Sequence, residues 1–342
     1  MILKTKKTSK RNLSDDLADV LSTTWLPWSR DKPYSTMEKI DKRLLPICEG
    51  ATAYLLGNYE RTIQCYEQTE GDDAVRLAAC SLTIAASIST GNFTFYKEIE
   101  TFLKSLIRAK ISDSVTAFSE LSLASAYLGA MVPSMVPKWL KDGNFSALPT
   151  QAKPDASYKR VRYFQCKGDY KSMLNVAETA LTFFDSPQKN SFPGSYLKIM
   201  CAVACNALNR LEDGKRWLLD TMNVNLPYGF ISFYTELIPF CCGMMEPLIK
   251  QNYPVYYDII IKQWKHIGPN WLAFHNKFTK DNIQSILTLR EYHIAKLAAQ
   301  HMPYKEIAER FSISVGRLKN IMHTIYGKLL VKNRDELAKC IL

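Results

Sequence analysis

The chain has no pair of cysteines at C-x-x-C spacing, which removes the usual clamp for a structural zinc ion. Its nine cysteines lie at 48, 65, 80, 166, 201, 205, 241, 242 and 340, an odd number in a chain too long to depend on a disulfide framework. They read as reduced, packed side chains, with Cys201 and Cys205 on one helix face. Histidine is sparse as well, and the five residues at 266, 275, 293, 301 and 323 form no metal-binding spacing. A G-x-x-x-x-G-K-[ST] phosphate loop, a nucleophile elbow and a catalytic carboxylate pair are all missing. No catalytic residue, metal or cofactor is therefore assigned, and enzyme activity is not expected.

Long uncharged apolar runs are also lacking. The most apolar stretch, 229–249, contains Glu236, Pro239 and Glu246, and a membrane span of about twenty residues would not bury those carboxylates. The first residues carry Lys4, Lys6, Lys7, Lys10 and Arg11 with no apolar run behind them, so a signal peptide is not expected. The expected location is the cytoplasm, with that basic tail solvated.

What is present is a globular balance over 342 residues, with 47% hydrophobic and 23% charged residues. The length suits two domains, or a repeat array with a small module. A formal charge of +11 favours an anionic partner without choosing which. Alternating strand patterns are rare, whereas apolar residues recur three and four apart almost throughout, so the fold class is all-α. Glycine and proline cluster at 141–154, 186–194 and 267–270, which read as loops or boundaries.

A segment around Gly57, YLLGNYERTIQCYEQ, has an echo around Gly91, SISTGNFTFYKEIETFL, 34 residues later. Each places Gly-Asn-aromatic between two helical patterns, as a tight turn between antiparallel helices requires. Small and aliphatic residues precede the turn, and Ile63 and Tyr66, or Ile99 and Phe102, follow it. This resembles the tetratricopeptide repeat, whose period is also 34. Weaker turns at Gly129, Gly168, Asn209 and Asn252 drift to spacings of 38, 39, 41 and 43. The expectation is an array of about six degenerate helical hairpins over 40–265, with an irregular helical domain as the alternative. Such arrays curl and leave a concave surface for a ligand. Tyr54, Tyr127, Tyr163, Phe164, Tyr228, Phe230 and Tyr234 have the spacing of core side chains, and none is assigned as a ligand contact.

From Leu287 the start and stop signals sharpen. Thr288 and Glu291 have capping-box spacing, and Ile294, Leu297 and Ala298 give the following helix one apolar face. Pro303 separates it from a second helix over 304–311. Ser314 is a natural cap for a third, in which Leu318, Ile321, Ile325 and Leu329 recur at helical spacing. Its other face carries Arg317, Lys319, Asn320, His323 and Lys328, donors suited to phosphate oxygens and purine edges. Asn333 and Glu336 repeat the cap spacing for a last helix. Two short helices joined by a tight turn, the second basic, form the arrangement that places one helix in the major groove. From Ser285 onward ten Lys/Arg face five Asp/Glu, a balance that a solvated basic face would also give.

The same segment resembles the LuxR-type helix-turn-helix domain of bacterial transcription regulators. The resemblance rests on Leu287-Thr288, Arg290-Glu291, Leu297, Ala299, Lys305-Glu306-Ile307-Ala308, Ile313-Ser314, Lys319, Ile325-Tyr326, Lys328-Leu329, Val331, Arg334 and Glu336-Leu337-Ala338, in register without a gap. It implies a four-helix unit whose third helix reads DNA and whose fourth pairs two units on an inverted repeat. Lys319 falls on the family's lysine in the third helix. The expected DNA contacts are Lys319, Asn320, His323, Arg317, Lys328, Lys305 and Gly316. Four departures matter: His301 replaces a glycine after the first helix, Arg317 a threonine, Ile321 a histidine and Leu330 a glycine. Phosphate binding is expected to survive them and base preference to diverge.

The expected organisation is a basic segment and lead-in over 1–39, the tetratricopeptide-like array over 40–265, a linker over 266–284 and the DNA-binding domain over 285–342. Neither a receiver-like strand-helix alternation nor a phosphate loop is present. The expected function is a one-component regulator that binds double-stranded DNA as a homodimer, its array sensing a small molecule or peptide. The alternative is an interaction protein whose array recruits a protein partner while the module localises it on DNA.

Overall fold

The computed structural model describes residues 12–24, 40–184, 189–241, 243–279, 287, 289–311, 313–329 and 331–341, with 23, 24, 278, 289, 290 and 328 described by their backbone alone. Among these residues all regular structure is helical, as the apolar periodicity requires. None of their helices is long and apolar enough to cross a membrane. Expectations for residues 1–11 lie outside the described residues.

Part of the expected lead-in is an ordered helix. Leu17, Val20 and Leu21 of α1 (Leu13–Thr24) are buried against the helices that follow, with the three- and four-residue spacing of one apolar stripe. Arg43 fastens it, donating to Asp16 at 2.9 and 2.6 Å and to Asp72 at 3.0 Å. The guanidinium fork suits this double carboxylate recognition.

In the Gly-Asn-aromatic turns, glycine ends one helix and asparagine begins the next. Gly57, at φ 78°, follows α2 (Leu45–Leu55), and the Gly57 and Asn58 N–H groups donate to the Tyr54 and Ala53 carbonyls. The Asn58 side chain then accepts from the Arg61 N–H at 3.1 Å, capping α3 (Tyr59–Glu67). Gly91 and Asn92 repeat this between α4 (Asp73–Ser89) and α5 (Phe93–Ala109).

The turn expected at Gly129 differs. Helix α6 (Asp113–Gly129) ends with Met131 left-handed, and Pro133 and Pro137 divert the chain into a 3-10 turn and the short α7 (Lys138–Asp142). No antiparallel partner of full length follows it. The hairpin pattern resumes with α8 (Lys153–Lys167) and α9 (Tyr170–Phe183) around Gly168, and with α10 (Phe192–Ala207) and α11 (Leu211–Asn225) around Asn209.

After α12 (Ser232–Leu237), α13 (Met245–Asn252) turns into α14 (Pro254–Thr279). The expected linker at 266–284 is thus helix as far as Thr279, because Ile260, Ile267 and Phe274 form a buried stripe that continues through it. Helix α14 lies across the carboxy-terminal ends of α2, α4 and α6. Gln263 donates to the Gly57 carbonyl at 2.7 Å, Asn270 to the Ser89 carbonyl at 2.7 Å, and His275 meets the Ala130 carbonyl through Nδ1. These carbonyls lie at or just beyond helix ends, where groups without an intrahelical partner must find one elsewhere. A Cβ at Gly129 would stand 2.2 Å from the Trp271 ring, so glycine is what lets α14 come this close.

Six of the expected packed thiols, Cys48, Cys65, Cys80, Cys201, Cys205 and Cys241, are buried, and Cys166 is half-buried. Cys340 departs from that expectation. It is exposed near the carboxy-terminal end of its helix, one turn beyond buried Leu337.

Candidate nucleic-acid interface

Four helices form the carboxy-terminal unit: α15 (Leu289–Ala299), α16 (Tyr304–Arg310), α17 (Val315–Leu329) and α18 (Arg334–Ile341). Ile294, Ala298, Ile307, Leu318, Ile325 and Leu337 are buried at its centre. Local chemistry sets the boundaries. The Arg317 N–H donates to Ser314 Oγ at 3.1 Å, so Ser314 caps α17. At α18 the Glu336 N–H donates to Asn333 Oδ1 at 2.8 Å, and Glu336 accepts from the Lys332 N–H at 2.8 Å. The Thr288 half of the first expected capping box lies outside the described residues.

His301 stands where the resemblance calls for glycine, and it adopts the left-handed conformation at φ 59°. The helix end is therefore kept with a residue that strains it: the His301 and Met302 N–H groups still donate to the Ala298 and Leu297 carbonyls.

Leu318, Met322 and Ile325 point α17 inward, while Arg317, Lys319, Asn320 and His323 are exposed on its outer face. Ile321, where the resemblance calls for histidine, packs partly buried against the unit's core. Among the described residues no hydrogen bond or ion pair engages the Arg317, Lys319, Asn320 or His323 side chains, so the donors of this face are unspent. Gly316 is exposed in the first turn, where a Cβ would meet nothing nearer than Ser314 Oγ at 3.9 Å. Lys305 is exposed in the first turn of α16. The Lys328 side chain lies outside the described residues. Arg334, one of the matching positions, holds the unit together instead of facing outward. It donates to the Met302 carbonyl at 2.8 Å and lies 4.1 Å over the Tyr304 ring.

The array grips this unit on α15 and α16. Arg310 donates to the Ala207 carbonyl at 2.9 Å, and the Phe240 ring meets His293 edge-on at 5.2 Å. His293 Nε2 is buried without a hydrogen-bond partner among the described residues, and burial, helped by Lys296 and Arg162, pushes the imidazole down to about 3. It is neutral at physiological pH. The outer face of α17 remains exposed in this arrangement.

A second candidate site lies inside the array, where α2, α3, α4, α6, α8 and α10 meet α12 and α14 around a cavity of about 480 Å³. Tyr54, Tyr158, Tyr196, Trp264 and Trp271 supply aromatic wall. The Glu236 carboxylate accepts from the Tyr54 hydroxyl at 2.5 Å and the Tyr196 hydroxyl at 2.8 Å. Burial nevertheless raises its pKa to about 7 against those stabilising bonds. Lys159 pairs with Asp155 at 2.6 Å and donates to Ser81 at 3.0 Å, and burial lowers its pKa.

Sequence reasoning assigns no residue of this wall as a ligand contact. Of the seven aromatic residues singled out, Tyr54 lines the cavity, whereas Tyr127, Phe230 and Tyr234 are packed core. Arg162, Trp264 and Trp271 had no local motif to mark them. Glu236 was visible as a carboxylate in an apolar stretch, and that incongruity was the available signal.

Residues 285–341 match the family described as GerE, bacterial regulatory proteins of the luxR family. No curated protein and no solved structure matched the chain. The carboxy-terminal unit is a LuxR-type helix-turn-helix domain, and it makes the chain similar to DNA-binding transcription regulators over about a sixth of its length.

Proposed function

We propose that this LuxR-type regulator binds operator DNA through the outer face of α17 and that its helical array is the sensor that governs the binding. The observation that carries the DNA contact is the exposed face on which Arg317, Lys319, Asn320 and His323 stand without side-chain partners among the described residues, on a capped helix. Lys319 and Asn320 are assigned to base edges, asparagine being matched to adenine N6 and N7. His323 lies one turn further along the same face. Arg317, Lys305 and Lys328 are assigned to phosphates, with Gly316 giving a phosphate close access to the N–H groups at the start of α17. Two copies pair through α18 on an inverted repeat.

The sensing role is supported by the cavity, whose size lies within the range of small-molecule sites. The sensor extends through Thr279, since α14 is built into it.

The test begins with an operator selected from random duplexes. Lys319→Ala and Asn320→Ala should each weaken binding to that operator by about 1–3 kcal/mol relative to unrelated DNA. Arg317→Ala and Lys328→Ala should weaken binding to all sequences and lower the salt slope by about one unit each. Undiminished operator binding by all four variants would reject α17 as the contact helix.

A further inference from the structure

Arg162 is the one lysine or arginine of the cavity wall that is buried with no carboxylate in hydrogen-bond or ion-pair contact among the described residues, although its charge is felt by Glu236 of the same wall. It is 6% exposed, and its hydrogen bonds go to neutral acceptors: the Gln165 side-chain oxygen and, at 3.3 Å, the Leu128 carbonyl. A guanidinium has five N–H donors, so those two bonds leave donors unspent beside the cavity. The other charged groups of the wall are already engaged, Lys159 by Asp155 and Glu236 by two tyrosine hydroxyls. Burying an unpaired charge is costly, and a structure that tolerates one in a cavity wall has the means to pair it when the cavity fills.

The position of Arg162 has a second consequence. Its guanidinium lies 4.7 Å over the Phe240 ring, and the edge of that ring abuts His293 of the DNA-binding unit. Met131 also lines the cavity and packs against the core of that unit. The remaining concave space bears on the choice of ligand: α14 already lies across the helix ends where a long peptide would run, leaving room for a small molecule.

We infer that the cavity binds a small, largely apolar molecule carrying one acidic group, whose anionic oxygen atoms pair with Arg162 and so alter the Phe240 contact that seats the DNA-binding unit. The inference rests on the sensing role proposed above and names its ligand class. Aromatic and aliphatic wall holds the body of the molecule, and Arg162 supplies the charge-assisted bond that orients it.

Two fluorescent probes of one ring system test it with the full chain: 8-anilinonaphthalene-1-sulfonate, which is anionic, and N-phenyl-1-naphthylamine, which lacks the sulfonate. The sulfonate should bind saturably and at least about tenfold more tightly than the neutral probe. Arg162→Gln should erase that preference while leaving the neutral probe's affinity within about twofold, and Arg162→Lys should keep part of it. Ala51→Trp, which crowds the part of the wall supplied by α2, should weaken both probes. Unchanged far-ultraviolet circular dichroism qualifies each variant as folded, and loss of fold in Arg162→Gln leaves the decision to Arg162→Lys and Ala51→Trp. Binding of the sulfonate should also shift affinity for the selected operator in the native chain and not in Ala51→Trp.

Equal binding of the two probes to the native chain, or a sulfonate preference that survives Arg162→Gln, overturns the acidic ligand class. If the neutral probe binds and shifts operator affinity in that case, the sensing role stands without it. Sulfonate binding through Arg162 with no change in operator affinity overturns the coupling through Phe240. Failure of both probes to bind overturns the inference together with the cavity as the sensor's site.

Discussion

Two residues show how a single side chain carries a measurable cost. His301 holds a left-handed backbone conformation for which glycine is the unstrained choice. Its contact with Asp335, 3.5 Å away and exposed, offers little in return. His301→Gly should therefore stabilise the chain by about 0.5–1 kcal/mol, the relief of strain exceeding glycine's entropic cost, as measured by urea unfolding. Glu236 makes the opposite demonstration. Its pKa in the folded chain, about 7, is above that of a free carboxylate, so its protonated form is the one favoured by folding. The associated stability is fully present below the unfolded pKa and is lost as pH rises through 7. Glu236→Gln should gain on the native chain between pH 5 and pH 8, by about 1–3 kcal/mol at the upper end. A constant difference in melting temperature across that range would refute the ionisation cost.

At the scale of elements, α14 decides more than the hairpins it joins. An alanine in place of a helical glycine ordinarily adds up to about 1 kcal/mol of stability. At Gly129 the sign should reverse, because the new Cβ meets a Trp271 ring fixed by its bond to Ser89 at 3.0 Å. Gly129→Ala should cost about 1–3 kcal/mol alone and become stabilising in a Trp271→Ala background, a double-mutant cycle that isolates the contact. The same helix marks what the sequence could and could not disclose. Gly57-Asn58, Gly91-Asn92, Ser314 and Asn333 are legible because caps and left-handed turns are local chemistry, settled within four residues. The role of α14 is not local. Gln263 and Asn270 are ordinary amides in a row, and their acceptors lie 206 and 181 positions earlier in the chain. With Gly268 and Pro269 inside it, the segment has the composition of a boundary, and only burial of Ile267 and Phe274 makes it part of the array. The cavity is hidden for the same reason, since its wall draws scattered residues from helices far apart in the chain, α2 to α14.

For the whole molecule, the seam between array and DNA-binding unit mixes apolar and polar anchors: the Phe240 ring on His293, Met131 against the unit's core and the Arg310 bond to Ala207. Such a seam holds without locking. Phe240→Ala should free the unit, giving faster amide hydrogen exchange in α15 and an earlier calorimetric transition for the DNA-binding unit than for the array. Operator binding should persist in that variant, because the face of α17 assigned to DNA is exposed while the unit is seated. Loss of binding would mean that the array shapes the contact face itself. The long reach of α14 also sets an order of events during synthesis. Gly57 and Ser89 leave the ribosome long before the amides that join them to α14, so the nascent array must wait with its helix ends open until most of the chain has been made. The DNA-binding unit is then still to come, and a chain abandoned before α14 would lack both the completed array and that unit.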